Sequence, residues 1–275
     1  MKTTIALLSI LIPALYSCSS YRTIYAASPP CNPTFKEKGE SQAAIYYSDA
    51  GNNDIESQIK ANGVDVHTAY AFTKKFAATF TYSQRNEIDE YKKNHIGYKG
   101  GTLLEYNRKF MEIGGGYFVP LSSKKKSVFN LYAGMGIGNF SFTDKSGDGN
   151  YNKFYNRQMT KLFVMPSINF MLGKIVHFGF GFKYSFVKYK KMNTSYDNLE
   201  FEQFEFDKLN KRKFFEPSYH ILFIPPKIQW LKLELIASAA KDISQNELQY
   251  LIVRPGNTSI GFNIDVAKMY KALKK

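Results

Sequence analysis

The chain has 275 residues, 44% of them hydrophobic and 22% charged, so it is long enough for one large domain or two small ones and is not intrinsically disordered. Aromatics reach 16%, yet the mean hydropathy of −0.33 is far too polar for a helical membrane bundle. Two cysteines exclude a disulfide scaffold and a four-cysteine zinc site. The formal charge of +14 favours an anionic counterpart: nucleic acid, phosphorylated lipid or an acidic protein.

Met1-Lys2 opens a basic start, and the apolar run from Ile5 to Leu15 is too short to span a bilayer but has signal-peptide proportions. The run ends in Leu15-Tyr16-Ser17-Cys18, which resembles the lipobox of bacterial lipoproteins, with Tyr16 departing from the usual small residue. The resemblance implies a signal peptide over 1–17 and acylation of Cys18 as the first mature residue. Each methylene of such an anchor contributes about 0.8 kcal/mol when buried. Ser19 and Ser20 follow, without the Asp that the family's sorting rule uses for retention at the inner membrane, so the resemblance implies the outer membrane. The alternative is an ordinary secretory signal cut near Ala26-Ala27. Export argues against a nucleic-acid partner. Residues 18–38 read as a tether, because Pro29, Pro30 and Pro33 forbid regular structure. Cys31 has no partner if Cys18 carries lipid, and a Cys18–Cys31 disulfide is open if it does not.

From residue 39 to 275 the chain alternates with period two. In 176–186, Val176, Phe178, Phe180, Phe182, Tyr184 and Phe186 fall on one face, with His177, Gly179, Gly181, Lys183 and Ser185 on the other. Segments 127–141, 158–170, 228–240 and 258–268 repeat the pattern, and strands are also expected at 40–49, 63–72, 76–85, 109–118, 175–189 and 213–223. Pro166 and Pro217 are expected to mark bulges or breaks, since proline donates no ladder hydrogen bond. Short connections at 73–75, 120–126, 171–174 and 225–227 alternate with long ones near 50–62, 86–108, 142–157, 190–212 and 241–257, within which residues 99–107 either extend the fourth strand or form a small piece of loop structure. The expectation is an all-β antiparallel transmembrane barrel of about ten strands, with eight or twelve as recounts, short periplasmic turns, long external loops and both termini in the periplasm.

The lipobox-like leader, the strand–turn–strand run from Ala69 to Ser83 and the aromatic-alternating strands together resemble the small outer-membrane β-barrel proteins of Gram-negative bacteria. That group includes adhesins, channels, assembly factors and a few enzymes, so the resemblance implies an architecture and not a role.

Inward positions carry Asp65, His67, Glu112, Lys161, Lys183, Glu216, His220, Lys232, Glu234 and Asp265, expected to pair across a narrow lumen and fill it. Lining a pore is the other reading. Asp65-Val66-His67 has the letters of the omptin-type protease dyad, but no facing acidic pair is evident, so no catalytic residue is assigned. The four histidines lack metal-motif spacing, and no cofactor fingerprint is present. Asp144-x-Ser146-x-Asp148-Gly149 resembles half a calcium loop but has Tyr155 where a bidentate Glu belongs. Lys188, Lys190, Lys191, Lys211, Arg212 and Lys213 flank the 190–212 loop and form an external basic rim level with lipopolysaccharide phosphates. Its aromatic-acidic centre from Phe201 to Asp207 reads as a hairpin, a partner edge or a solvated loop. The functional expectation is a non-enzymatic outer-membrane lipoprotein whose partners are membrane lipid, lipopolysaccharide and a surface or membrane protein. A small-solute channel or transport accessory is the alternative, and an omptin-like hydrolase a distant one.

Overall fold

A computed structural model describes residues 21–53, 57–91, 101–122, 124, 126–147, 149–173, 175–254 and 256–274. Cys18, His95 and Asp148 lie outside the described residues. In chain order the strands are β1 (Arg22–Ala26), β2 (Ser41–Asp49), β3 (Asn52–Asn53), β4 (Ser57–Tyr70), β5 (Phe76–Tyr91), β6 (Thr102–Pro120) and β7 (Ser127–Ser146). They continue as β8 (Asn152–Leu172), β9 (Val176–Thr194), β10 (Lys211–Phe223), β11 (Leu231–Ala239), β12 (Lys241–Asp242), β13 (Leu251–Arg254) and β14 (Gly256–Asp265). Two short helices are α1 (Asn198–Gln203) and α2 (Val266–Leu273).

Ten strands, β2, β4 to β11 and β14, pair antiparallel with their neighbours, and β10 joined to β11 closes the sheet on itself. Closure satisfies every edge, which a bilayer demands because its core offers no water to unpaired backbone groups. The period-two pattern becomes two walls. Ile45, Phe80, Met135, Leu162, Tyr184, Leu235 and Phe262 stand exposed on the outside, while Tyr46, Asn130, Lys161, Ser185 and Asn263 are buried within. An apolar band outside and a polar interior are the signature of a membrane-spanning barrel.

The structure corrects the sequence reading in several places. The expected strands 76–85, 109–118, 127–141 and 158–170 extend well into the segments read as long loops, so β5 to β9 run 16 to 21 residues where β2, β11 and β14 run 9 or 10. A membrane crossing needs only about 9–11 residues, so the excess projects beyond the apolar band. Neither proline breaks its strand: Pro166 pairs with Leu131, Pro217 pairs with Phe182, and the register is unchanged on either side. The irregularity in this wall falls instead at Arg157/Gln158, where β9 carries Lys191 as an extra residue at φ 35°. The last strand stops at Asp265, whose carboxylate accepts the Lys268 N–H at 3.0 Å and starts α2, so Val266 and Ala267 are helical.

Residues 21–35 depart furthest from expectation. Instead of a tether without regular structure, they form β1 and run on through the lumen. The Tyr21 carbonyl accepts the Tyr91 hydroxyl at the long-loop end, whereas Phe35 packs edge-on against Phe118, with ring centroids 5.9 Å apart, at the short-turn end. On the way β1 pairs parallel with β13, which folds in from the last long loop. The described chain therefore begins at the long-loop end, opposite to the periplasmic start expected from turn alternation. The prolines follow β1 and fit this path, because beyond Ala26 the segment makes no ladder and is held by the side chains of the lumen.

Candidate functional site: a filled lumen and a basic outer rim

All ten inward residues singled out from the sequence are buried. Glu112 sits between two cations, 2.6 Å from Lys161 and 3.2 Å from Lys183. Glu216 accepts the Tyr25 hydroxyl at 2.9 Å and also bonds Ser185, while Lys161 donates to the Tyr25 oxygen at 2.7 Å. The plug thus enters the ion-pair network directly, and Tyr25 stacks on Phe214 at 4.0 Å. Nearer the short-turn end, the His220 ring lies 2.8 Å from Glu234 and 2.7 Å from Asn169, and Glu234 also accepts Tyr46 at 2.6 Å and Asn263 at 2.8 Å. Asn32 of the plug contacts Asn130, Ser167 and Asn169 there. Gly179 makes this packing feasible: a Cβ on it would sit 1.7 Å from His220 Nε2.

Asp65 and His67 do not form a dyad. Asp65 is engaged by Arg85 at 2.8 Å and Ser48 at 2.5 Å, and His67 lies against the Tyr46 ring with centroids 4.8 Å apart. Lys232 and Asp265 stand apart from the central network, lining a cavity of about 60 Å³ at the short-turn mouth, and Asp265 pairs with Lys268 at 2.7 Å. Asp144, read as a calcium-loop candidate, is buried and bonds Arg22 and Tyr196. Among the described residues no group of His, Cys, Asp or Glu is arranged to hold a metal.

The sequence reading missed a second charged layer toward the long-loop end. Arg108 pairs with Glu87 at 2.8 Å, and Arg254 reaches Glu87 at 2.7 Å and Asp89 at 2.8 Å. The signal was present: Arg85, Glu87 and Asp89 keep the period-two alternation past the point where the strand was taken to end. Arg108 also donates to the Thr23 carbonyl at 2.7 Å, so this layer too grips the plug. Above it sits an aromatic cluster in which Tyr155 stacks on Phe206 at 4.4 Å and the Arg22 guanidinium lies 3.5 Å over the Phe204 ring. Within the lumen, the plug itself lines a cavity of only about 30 Å³.

Phe204 and Phe206 come from the 190–212 segment, which neither extends outward as a hairpin nor floats in solvent. It folds inward as a cap. Asp197 and Glu200 form a reciprocal capping box that starts α1, and buried Phe204, Phe206 and Leu209 close the mouth. Glu205 is the latch to the next loop: its carboxylate accepts the backbone N–H groups of Gln249 at 2.5 Å and Tyr250 at 3.2 Å and the Lys208 ammonium at 2.9 Å. Desolvation alone would raise its pKa, but these donors outweigh it and hold the carboxyl below its ordinary value.

Of the six rim residues, Lys188, Lys190, Lys191, Lys211 and Lys213 are exposed on the outside. Arg212 is a correction. It alternates inward, is buried, and pairs with Asp242 of β12, because a position between two outward lysines on one strand must face the lumen. The rim begins where the apolar band ends. Ile137, Thr160, Lys188 and Lys211 form one register row across β7 to β10, with Met135, Leu162 and Phe186 just below.

No family model and no curated protein matches the chain. Among solved structures it is similar to the translocator domain of the autotransporter NalP from Neisseria meningitidis, at 10% identity and a TM-score of 0.50, covering 82% of this chain and 88% of that one. The outer membrane protease OmpT from Escherichia coli aligns over 82% of this chain and 96% of its own at 9% identity and a TM-score of 0.47. The outer membrane protein OprG from Pseudomonas aeruginosa aligns over 85% and 98% at 11% identity and a TM-score of 0.36. At these identities the likeness is one of fold alone, a β-barrel of the outer-membrane type, and the count of ten strands is this chain's own.

Proposed function

We propose that this protein is a non-enzymatic outer-membrane lipoprotein whose barrel is closed by its own N-terminal segment and which acts at its long-loop face, on lipopolysaccharide, a surface partner or a larger membrane complex. The observation that carries this reading is the plug: residues 21–35 run the length of the lumen and share the ion pairs and hydrogen bonds of its wall. The lumen cavity that the plug lines is only about 30 Å³, which supports a closed barrel, and Asp65 and His67 are engaged by Arg85, Ser48 and Tyr46 of the wall. In bacterial barrels the long loops face outward.

Refolded full-length protein in a planar bilayer is expected to be silent, with or without the 190–212 loop, and stable conductance by the intact chain would favour the channel reading. The thiol of Cys31, buried beside the Thr68 carbonyl, reports on the plug directly. It is expected to resist maleimide in the folded protein and to react on unfolding; rapid labelling of the folded barrel would mean that the plug leaves the lumen. An epitope inserted before Tyr21 is expected to bind antibody on intact cells, and detection only after permeabilisation would reverse the orientation.

A further inference from the structure

Two cations stand directly opposite each other on the outside of the barrel. Lys188 of β9 is in register with Lys211 of β10, both are exposed, and neither side chain has a partner among the described residues. Like charges facing across a strand pair are destabilising, so this arrangement favours an anion between them. Lys213 is the next outward residue on β10, and Lys208 reaches in from the cap. Of the acids close by, Glu205 is engaged by Lys208 and the Gln249 and Tyr250 amides and Asp242 by Arg212, while exposed Asp207 acts on Lys208 and not on the Lys188–Lys211 pair.

Directly beneath the lysines the wall is apolar. Met135, Ile137 and Leu162 are each 59% exposed and Phe186 50%. Together with Ser244, Gln245 and Asn246 above, they line a groove of about 660 Å³ that crosses from the membrane-facing band to the charged rim. A neighbouring groove of about 530 Å³ shares Ile137 and Thr160 and adds Lys109, Lys190 and Lys191, the last turned by the bulge in β9. The opposite wall differs: its groove of about 370 Å³ has Asp49, Asn257 and Thr258 in its lining, and the outward residues at the same ends of β11, β14 and β2 are Ala237, Ala239, Thr258, Tyr47 and Asp49, with no lysine among them.

We propose that this groove binds a phosphorylated, multiply acylated glycolipid, with acyl chains along Met135, Ile137, Leu162 and Phe186 and a head-group phosphate between Lys188 and Lys211. The inference rests on the outer-membrane reading and localises its lipid contact to one wall. A soluble anion would use the lysines and leave the apolar floor uncovered, and a plain hydrocarbon chain would do the reverse. Only an amphiphile with anionic charge at the interface matches both halves.

Detergent-purified full-length protein is titrated with diphosphorylated lipid A, with its dephosphorylated form and with inorganic phosphate, and binding is read by native mass spectrometry. The diphosphorylated lipid should be retained, the dephosphorylated form should bind roughly tenfold more weakly, and inorganic phosphate should not displace it. Lys188→Gln with Lys211→Gln should weaken binding by roughly tenfold, while Lys60→Gln on β4 should leave it unchanged. Lys213→Gln serves as the second variant if the double variant loses its heat-modifiable folded band. Equal binding by the dephosphorylated lipid or by the folded variants would overturn the site, and so would full displacement by inorganic phosphate. Recovery of the wild-type chain outside the membrane fraction would instead overturn the outer-membrane reading, so the two failures are distinguishable.

Discussion

The two sides of this barrel obey the same period-two rule and do different work. The short wall of β11, β14 and β2 runs 9 or 10 residues per strand, just enough to cross a bilayer, and ends in uncharged or acidic residues. The tall wall of β5 to β9 runs 16 to 21 residues. Its lower half crosses the membrane, while its upper half holds the aromatic cluster and carries the cap. Its last strand, β9, and the adjoining β10 carry the unpaired lysines. Strand length beyond the bilayer requirement is therefore where this chain concentrates its distinctive features. The short wall is compensated from within, since β1 and β13 occupy the lumen where the cap would otherwise have no floor.

The comparison can be broken at several points, the largest effect first. Glu112→Gln leaves Lys161 and Lys183 buried without their shared carboxylate and should destabilise the barrel by about 3–5 kcal/mol in denaturant unfolding from vesicles. A loss under 1 kcal/mol would mean that Glu216, 3.8 Å from Lys161, takes over. Leu235→Arg at the middle of β11 should cost about 2–4 kcal/mol and deplete the folded band, because it presents a charge to the hydrocarbon. Asn156→Arg, equally outward but on the projecting part of β8, should cost only about 0–1 kcal/mol. Equal losses from these two would show that the tall wall does not leave the bilayer. Gly179→Ala should cost about 1–3 kcal/mol by pushing the His220 ring off Asn169, visible as a lower unfolding midpoint.

The smallest expected effect concerns the cap. Glu205 has a depressed pKa when folded, so its contribution is present above the ordinary carboxylate value and lost as pH falls through the lower folded value. Proteolysis within 195–210 should therefore accelerate as pH falls below the ordinary carboxylate range, and Glu205→Gln should remove that dependence while the barrel band persists. Unchanged cleavage across that range would place the latch elsewhere.

Much of the barrel was legible because its information is local. Alternation along a strand decides which residues face lipid, so the inward set from Asp65 to Asp265 could be read by counting in twos, as could the number of strands and the alternation of short and long connections. The rim was legible in composition but not in every direction: Arg212 went to the wrong side because charge was read without regard to its place between Lys211 and Lys213. The calcium-loop letters at Asp144 misled because a carboxylate that meets Arg22 and Tyr196 across the lumen has no local signature. Apart from 99–107, which could be read as an extension of the fourth strand, the strand extensions were hidden by polarity, since projecting strands lack the lipid-facing apolar stripe that identifies the rest.

By itself, the sequence determined a closed antiparallel barrel with an apolar exterior and a charged interior, because period two and turn spacing are properties of neighbouring residues. Tertiary structure alone decided what fills that interior. Residues 21–35 carry no periodic pattern, and their place follows from closure: once ten strands enclose a narrow lumen lined by unsatisfied charge and aromatic surface, the segment that can satisfy both is drawn inside. The facing of Lys188 and Lys211 arises in the same way, from a register set across strands and not along them.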